Sequence, residues 1–165
     1  MGEIGLDYYW EPYDRQRQAA FFDAQLSLAE RYGLPVSIHD REAHGDTFET
    51  LLRHPGARGV LHAYSGSAEM ARELVRRGWY IAFGGVLTFK NAARVRAVAA
   101  TVPPDRLMLE TDCPYLSPEP FRGKLNDSSR IAYTADVLGS LFGMSGEEMT
   151  DLCCRNSCRL FGIPR

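Results

Sequence analysis

Five short apolar runs, each followed by a stretch with helical spacing, set the limits on what this chain can become. GEIGLD (2–7), PVSIH (35–39), GVLHAYS (59–65), WYIAFGG (79–85) and RLMLETD (106–112) read as strands. Between them lie segments whose apolar residues recur at three and four positions. Asp14 caps the first of these, with Phe21, Phe22, Gln25, Leu26 and Ala29 at helical spacing and Gly33 as its stop. Further helices are expected at about 43–53, 68–77, 91–100, 129–142 and 145–161. The last opens on Ser145-Gly146-Glu147-Glu148, a capping box with Glu148 at its third position. Strands alternating with helices of 10–18 residues imply parallel β/α units. Runs such as VSI, GVL and LML suit strands covered on both faces. At 165 residues the chain fits one domain, spanning 1–165, and no repeat, linker or low-complexity segment divides it.

The polar residues on these runs carry the functional signal. His39 follows Val36-Ser37-Ile38, His62 follows Gly59-Val60-Leu61, Asp112 follows Glu110-Thr111, and Glu3 lies on the first strand. In a parallel β/α barrel the C-terminal strand ends open on one face, where chemistry is done. A single histidine at a strand end is ordinarily a hydrogen-bonded structural residue. Four polar residues at such positions are harder to explain structurally, because each buried charge is costly without a partner. Two histidines and two carboxylates suit Zn²⁺, Mn²⁺ or Mg²⁺. A bridging carboxylate can hold two such ions about 4 Å apart, where they activate a water and steady a leaving oxygen. His44 and His54, in and at the end of a helix, read as surface residues.

Composition excludes several alternatives. The net charge of −2 gives no general basic field for a polyanion, so any nucleic-acid partner must be held locally. No apolar run approaches 18 residues, so no membrane span is expected. No secretory h-region follows the acidic residue at position 3, and the expected compartment is the cytoplasm. The four cysteines form no C-x-x-C pair and read as reduced thiols.

The segments GEIGLDYY (2–9), PVSIHDR (35–41), LHAYSGS (61–67), YIAFGGVLTFKNA (80–92), ETDCPYLSPEPFRGKLN (110–126) and RNSCRLFGI (155–163) together resemble the TatD family of metal-dependent deoxyribonucleases. ETD-x-PYL with RGK-x-N is the most specific part. The resemblance implies a TIM-type (β/α)8 barrel, of which the chain would hold the C-terminal five strands with their helices. It implies two divalent metal ions (Mg, Mn or Zn), Glu3 bridging them, His39 and His62 completing one site, and Asp112 ligating the other and orienting the attacking water. It implies a DNA substrate hydrolysed at its phosphodiester bonds, as a 3′–5′ exonuclease. Arg41, Tyr64, Ser65, Arg122 and Lys124 are the expected substrate-binding residues, with Lys90 as further positive charge. Another ester or amide substrate on the same barrel, or a metal-binding fragment without catalysis, are the competing readings.

One departure stands out. The family's first strand carries an H-x-H that supplies two metal ligands, and these 165 residues contain none. Five strands also fall three short of the barrel, on the order of 85–100 residues at about 30 per β/α unit. The chain is therefore expected to start at the fourth barrel strand. Its open sheet edges would favour self-association. The isolated 165 residues are expected to be weakly active or inactive, which robust DNase turnover by the monomer would refute.

Overall fold

Parallel strands built from these runs form one sheet in sequence order. The structure, a computed structural model, describes residues 1–164. Strands β1 (Ile4–Asp7), β2 (Val36–Arg41), β3 (Gly59–Leu61), β4 (Tyr80–Phe83) and β5 (Leu107–Leu109) pair in the order β1-β2-β3-β4-β5, all parallel. Helices α1 (Arg15–Tyr32), α2 (His44–Arg53), α3 (Ala68–Arg76) and α4 (Ala93–Ala99) make the crossovers, and α5 (Ile131–Ser140) and α6 (Gly146–Phe161) follow β5.

The expected caps are present. Asp14 accepts from the Arg17 amide at the start of α1, and Gly33 closes that helix in the left-handed conformation. Ser145 and Glu148 form the reciprocal capping box of α6. Strands β3, β4 and β5 are shorter than their apolar runs. After β3 the chain leaves the ladder at Ala63, whose φ is +43°, and after β4 it turns into a 3₁₀ helix at Gly85–Thr88.

Alternation along each strand divides the side chains between two faces. Ile4, Leu6, Ile38, Leu61, Ile81, Phe83 and Leu107 face the helices and share one core with Phe22, Leu26, Leu74, Leu138 and Met149. The opposite face is apolar only at its lower end, where Val60, Tyr80, Ala82 and Met108 pack with Leu160 of α6. Above this small cluster the same face becomes polar. Strands β1 and β5 form the two edges of the sheet. Among the described residues, no helix is long and apolar enough to cross a membrane.

Candidate metal centre

The polar face is assembled by strand register. Gly5 of β1 lies beside His39 of β2. A Cβ at Gly5 would stand 1.9 Å from the His39 carbonyl oxygen, and its φ of +146° is one that side-chain-bearing residues rarely adopt. Only glycine lets the two strands approach this closely. Glu3 stands just ahead of β1, two residues before Gly5, and Asp7 two residues after it, so all three share a face. The His39 imidazole spans the distance between the carboxylates. Its Nδ1 lies 2.9 Å from Glu3 Oε1, and its Nε2 lies 2.9 Å from Asp7 Oδ2. His62, one residue past β3, meets Glu3 Oε1 through its Nε2. The two histidines face each other, with His39 Nδ1 and His62 Nε2 3.1 Å apart and the rings stacked at 5.3 Å.

Each histidine has its second nitrogen against a carboxylate. Asp7 takes His39 Nε2, and Glu110 Oε2 lies 3.4 Å from His62 Nδ1. The other Glu110 oxygen accepts from the Ala63 amide at 3.0 Å, which anchors the carboxylate itself. A carboxylate beside one ring nitrogen places the proton there and leaves the opposite lone pair free. Both free lone pairs then point toward Glu3. Glu3, His39 and His62 offer one ligand atom each, all within 4.8 Å of one another. Ligands about a tetrahedral zinc at about 2.0–2.1 Å are separated by about 3.3 Å. The 3.1 Å between the ring nitrogens is close to that value, so the donor set fits a divalent metal.

The electrostatics follow from crowding. Burial lowers the His62 pKa, but Glu110, and after it Glu3 and Asp112, outweigh burial and raise it. Asp112 is raised as well, by burial first and by the Glu110 and Glu3 charges, with His62 and His39 opposing. Burial pushes Asp7 up, but hydrogen bonds from the Tyr9 amide and His39 prevail and hold it below its ordinary value.

The expected site residues do not all converge. Asp112, in the left-handed region at φ +54°, lines the cavity above the sheet without joining the compact triad. That cavity of about 1460 Å³ is also lined by Glu3, His39, His62, Arg41, Tyr64 and Ser65. Tyr64 is buried and donates to the Ser67 carbonyl at 2.8 Å, and burial, with the Asp40 charge, raises its pKa. Ser65 is exposed. Arg41 lies over the Tyr9 ring at 3.8 Å. Lys90, Arg122 and Lys124 are exposed and do not line this cavity; Arg122 lies 4.2 Å over Phe89 and Lys124 5.9 Å from Phe121.

Sequence reasoning passed over Glu110, although it lies two residues before Asp112 and therefore on the same side of an extended chain. It also misplaced His54. That ring is buried and bonded to Glu30 at 3.0 Å and Asp23 at 3.1 Å, both on α1. His44 is half-buried and pairs with Asp40 at 2.8 Å.

Comparison with known proteins gives a consistent result. A family model described as "TatD related DNase" matches residues 1–162. The uncharacterized metal-dependent hydrolase YabD of Bacillus subtilis is 43% identical over 166 residues, covering 99% of this chain and 65% of that protein. The uncharacterized metal-dependent hydrolase YcfH of Escherichia coli is 39% identical, covering 99% of this chain and 62% of the relative. The crystal structure of the TatD homologue YjjV from Escherichia coli superposes with a TM-score of 0.91 at 36% identity, covering 99% of this chain and 63% of that one. The chain thus spans less than two thirds of the length of these relatives.

Proposed function

The chain belongs to the TatD-related DNase family of metal-dependent hydrolases, and from that premise we propose that it hydrolyses phosphodiester bonds in DNA, from the 3′ end. The five parallel strands are, on this reading, the C-terminal five of an eight-stranded β/α barrel, and the activity belongs to the whole barrel. Supporting it is the observation that both histidines are aimed at Glu3 by carboxylates behind them.

Glu3, His39 and His62 would hold one divalent ion, with Asp112 and Glu3 serving a second. Bound metal would supply Lewis acidity and an activated water at this point. The residues of the chain do the rest. Asp7 and Glu110 keep His39 and His62 in the ligating tautomer and restrain the rings. Asp112, lining the same cavity, would hold the second ion with Glu3 and accept a hydrogen bond from the water activated there. Arg41, lining the same cavity, offers a planar set of donors to a phosphate oxygen.

The test is cleavage of a 5′-labelled single-stranded oligonucleotide with Mn²⁺ or Mg²⁺. The 165-residue chain is compared with a version extended upstream to include an H-x-H strand, each beside its Glu3→Ala variant. A ladder shortening from the 3′ end, lost in the variant and on chelation, is expected from the extended protein. Absence of metal-dependent cleavage in both would overturn the phosphodiester assignment.

A further inference from the structure

Two large aromatic side chains stand in solvent beside the centre. Tyr9 is 51% exposed and Trp10 66% exposed, directly after β1. Apolar area of this size is costly to leave in water unless it meets something. The pair is built rather than loose. The rings meet edge to face at 4.9 Å and 90°. The Tyr9 amide donates to Asp7 Oδ1 at 2.9 Å, and the Tyr8 amide to the Arg41 carbonyl at 2.9 Å, tying this turn to the ends of β1 and β2. The Arg41 guanidinium covers Tyr9 at 3.8 Å and lies 5.4 Å from the Trp10 ring. Tyr9 is thus occupied on one face, while the indole of Trp10 is mostly bare.

The location decides what such a surface would meet. Trp10 and Arg41 line the same cavity as Glu3, His39 and Asp112. Asp7, two residues before Tyr9, holds His39. Two residues of extended chain span at most about 7 Å, so the platform begins close to the centre. A bare indole face takes another π-face, and a guanidinium with its flat side on Tyr9 keeps its N–H edge for a phosphate. Adjacent π and cationic groups match the base and the phosphate of one nucleotide. In a duplex the base faces are already stacked, whereas a single strand offers them.

We propose that Trp10, braced by Tyr9 and Arg41, is a stacking platform for an unpaired base of a single-stranded DNA whose backbone enters the metal centre. This rests on the hydrolase reading above and names a residue of this chain that would hold a base of its substrate. Lys90, Arg122 and Lys124, which do not line the cavity, have no part in it.

The experiment measures binding rather than turnover. Fluorescein-labelled eight-nucleotide thymidylate strands with phosphorothioate linkages are titrated with the protein in Mn²⁺, beside abasic strands of the same length and linkage. Stacking contributes roughly 1–3 kcal/mol per base, so the abasic strand and the Trp10→Leu variant should each bind about 5- to 150-fold more weakly. Trp10→Phe should recover part of the loss. Trp79 is only 2% exposed, so quenching of tryptophan emission by the normal strand reports Trp10. Equal affinity for normal and abasic strands would overturn the platform and leave the hydrolase reading intact. Failure to bind either strand would likewise overturn the platform, while the hydrolase reading is decided separately by cleavage with the upstream-extended protein. Quenching by the normal strand that is absent with the abasic one supports the platform whether or not the strand can be cut.

Discussion

Removing the Asp7 carboxylate should weaken metal binding without touching a ligand. Asp7 does two things: it accepts the Tyr9 amide through Oδ1 and meets His39 Nε2 through Oδ2, each at 2.9 Å. Those bonds hold it ionised. An ionised carboxylate behind an imidazole fixes the tautomer, restrains the ring and raises its basicity. Losses of 10–100-fold in metal affinity are typical when such a partner is removed, or about 1.4–2.7 kcal/mol. Asp7→Ala should fall in that range. Asp7→Asn keeps one acceptor oxygen, for the Tyr9 amide, and turns an NH₂ donor toward His39 Nε2, which favours the tautomer with its proton on Nδ1, so a loss at least as large is expected. The assay is competition of the 165-residue chain with a chelator for Zn²⁺ or Mn²⁺ at pH 7.5, with thermal unfolding as the check on folding. His39→Ala sets the limit of complete loss. If Asp7→Ala binds metal within two-fold of the parent while His39→Ala does not bind, the positioning argument is wrong. Glu110→Gln should behave as Asp7→Asn does, because Glu110 divides its oxygens between His62 and the Ala63 amide in the same way.

Three further outcomes follow from the packing. Gly5→Ala would drive a Cβ into the His39 carbonyl at 1.9 Å; a loss of about 3–5 kcal/mol is expected, and a melting temperature within 2 °C of the parent would show that the β1–β2 spacing is not fixed there. His54 carries a pH signature. Burial lowers its pKa, but Glu30 and Asp23 outweigh that and raise it, so its contribution is full below about pH 6.5 and is lost as pH rises through the raised value. Asp23 and Glu30 are both lowered, chiefly by His54, so theirs is present above about pH 4.5 and is lost in acid. His54→Leu should therefore cost most between about pH 4.5 and 6.5. With screening at the half-exposed Asp23 the cost is about 1–2 kcal/mol, or roughly 2–8 °C; parallel melting curves against pH would reject the bridge. Asn126→Ala should free the loop after Asp112, because the buried Asn126 amide donates to the Thr111 and Tyr115 carbonyls, each at 2.7 Å. Limited proteolysis between 113 and 125 should become several-fold faster, and an unchanged rate would show the loop is held elsewhere.

Periodicity carried the order of the elements, and capping residues carried several of their ends. Asp14, Gly33 and the Ser145–Glu148 box stand where their chemistry put them, because a cap is satisfied within a few residues of itself. Strand ends were less legible. Whether HAYS continues β3 depends on what lies alongside it, and the turn at Ala63 is fixed by the Glu110 carboxylate 47 residues away. His54 was misread for the same reason. Its position past the end of α2 suggested solvent, and only packing of α1 against it supplies Glu30 and Asp23. The alternation of Glu3, Gly5 and Asp7 was readable in GEIGLD, and so was their shared face. That His39 would lie beside the glycine and reach both carboxylates depends on strand register, which short runs leave unspecified.

The charge at the centre bears directly on how an acidic protein would hold a nucleic acid. Glu3, Asp7, Glu110 and Asp112 surround two histidines, and the raised pKa of Asp112 reflects their mutual repulsion as well as burial. Such a cluster repels phosphate. Arg17 and Arg41 are the arginines lining the cavity, and both lie over aromatic rings rather than on these carboxylates. With a chain charge of −2 there is no wider basic field to compensate. Divalent ions would reverse the local sign, since a bound cation is the largest charge in such a site. On the proposed reading, DNA affinity is therefore conferred by the metal and supplemented by stacking at Trp10, with few lysines or arginines displacing counterions. Binding of that kind depends steeply on metal and weakly on monovalent salt, the reverse of a protein that grips phosphates through a basic surface.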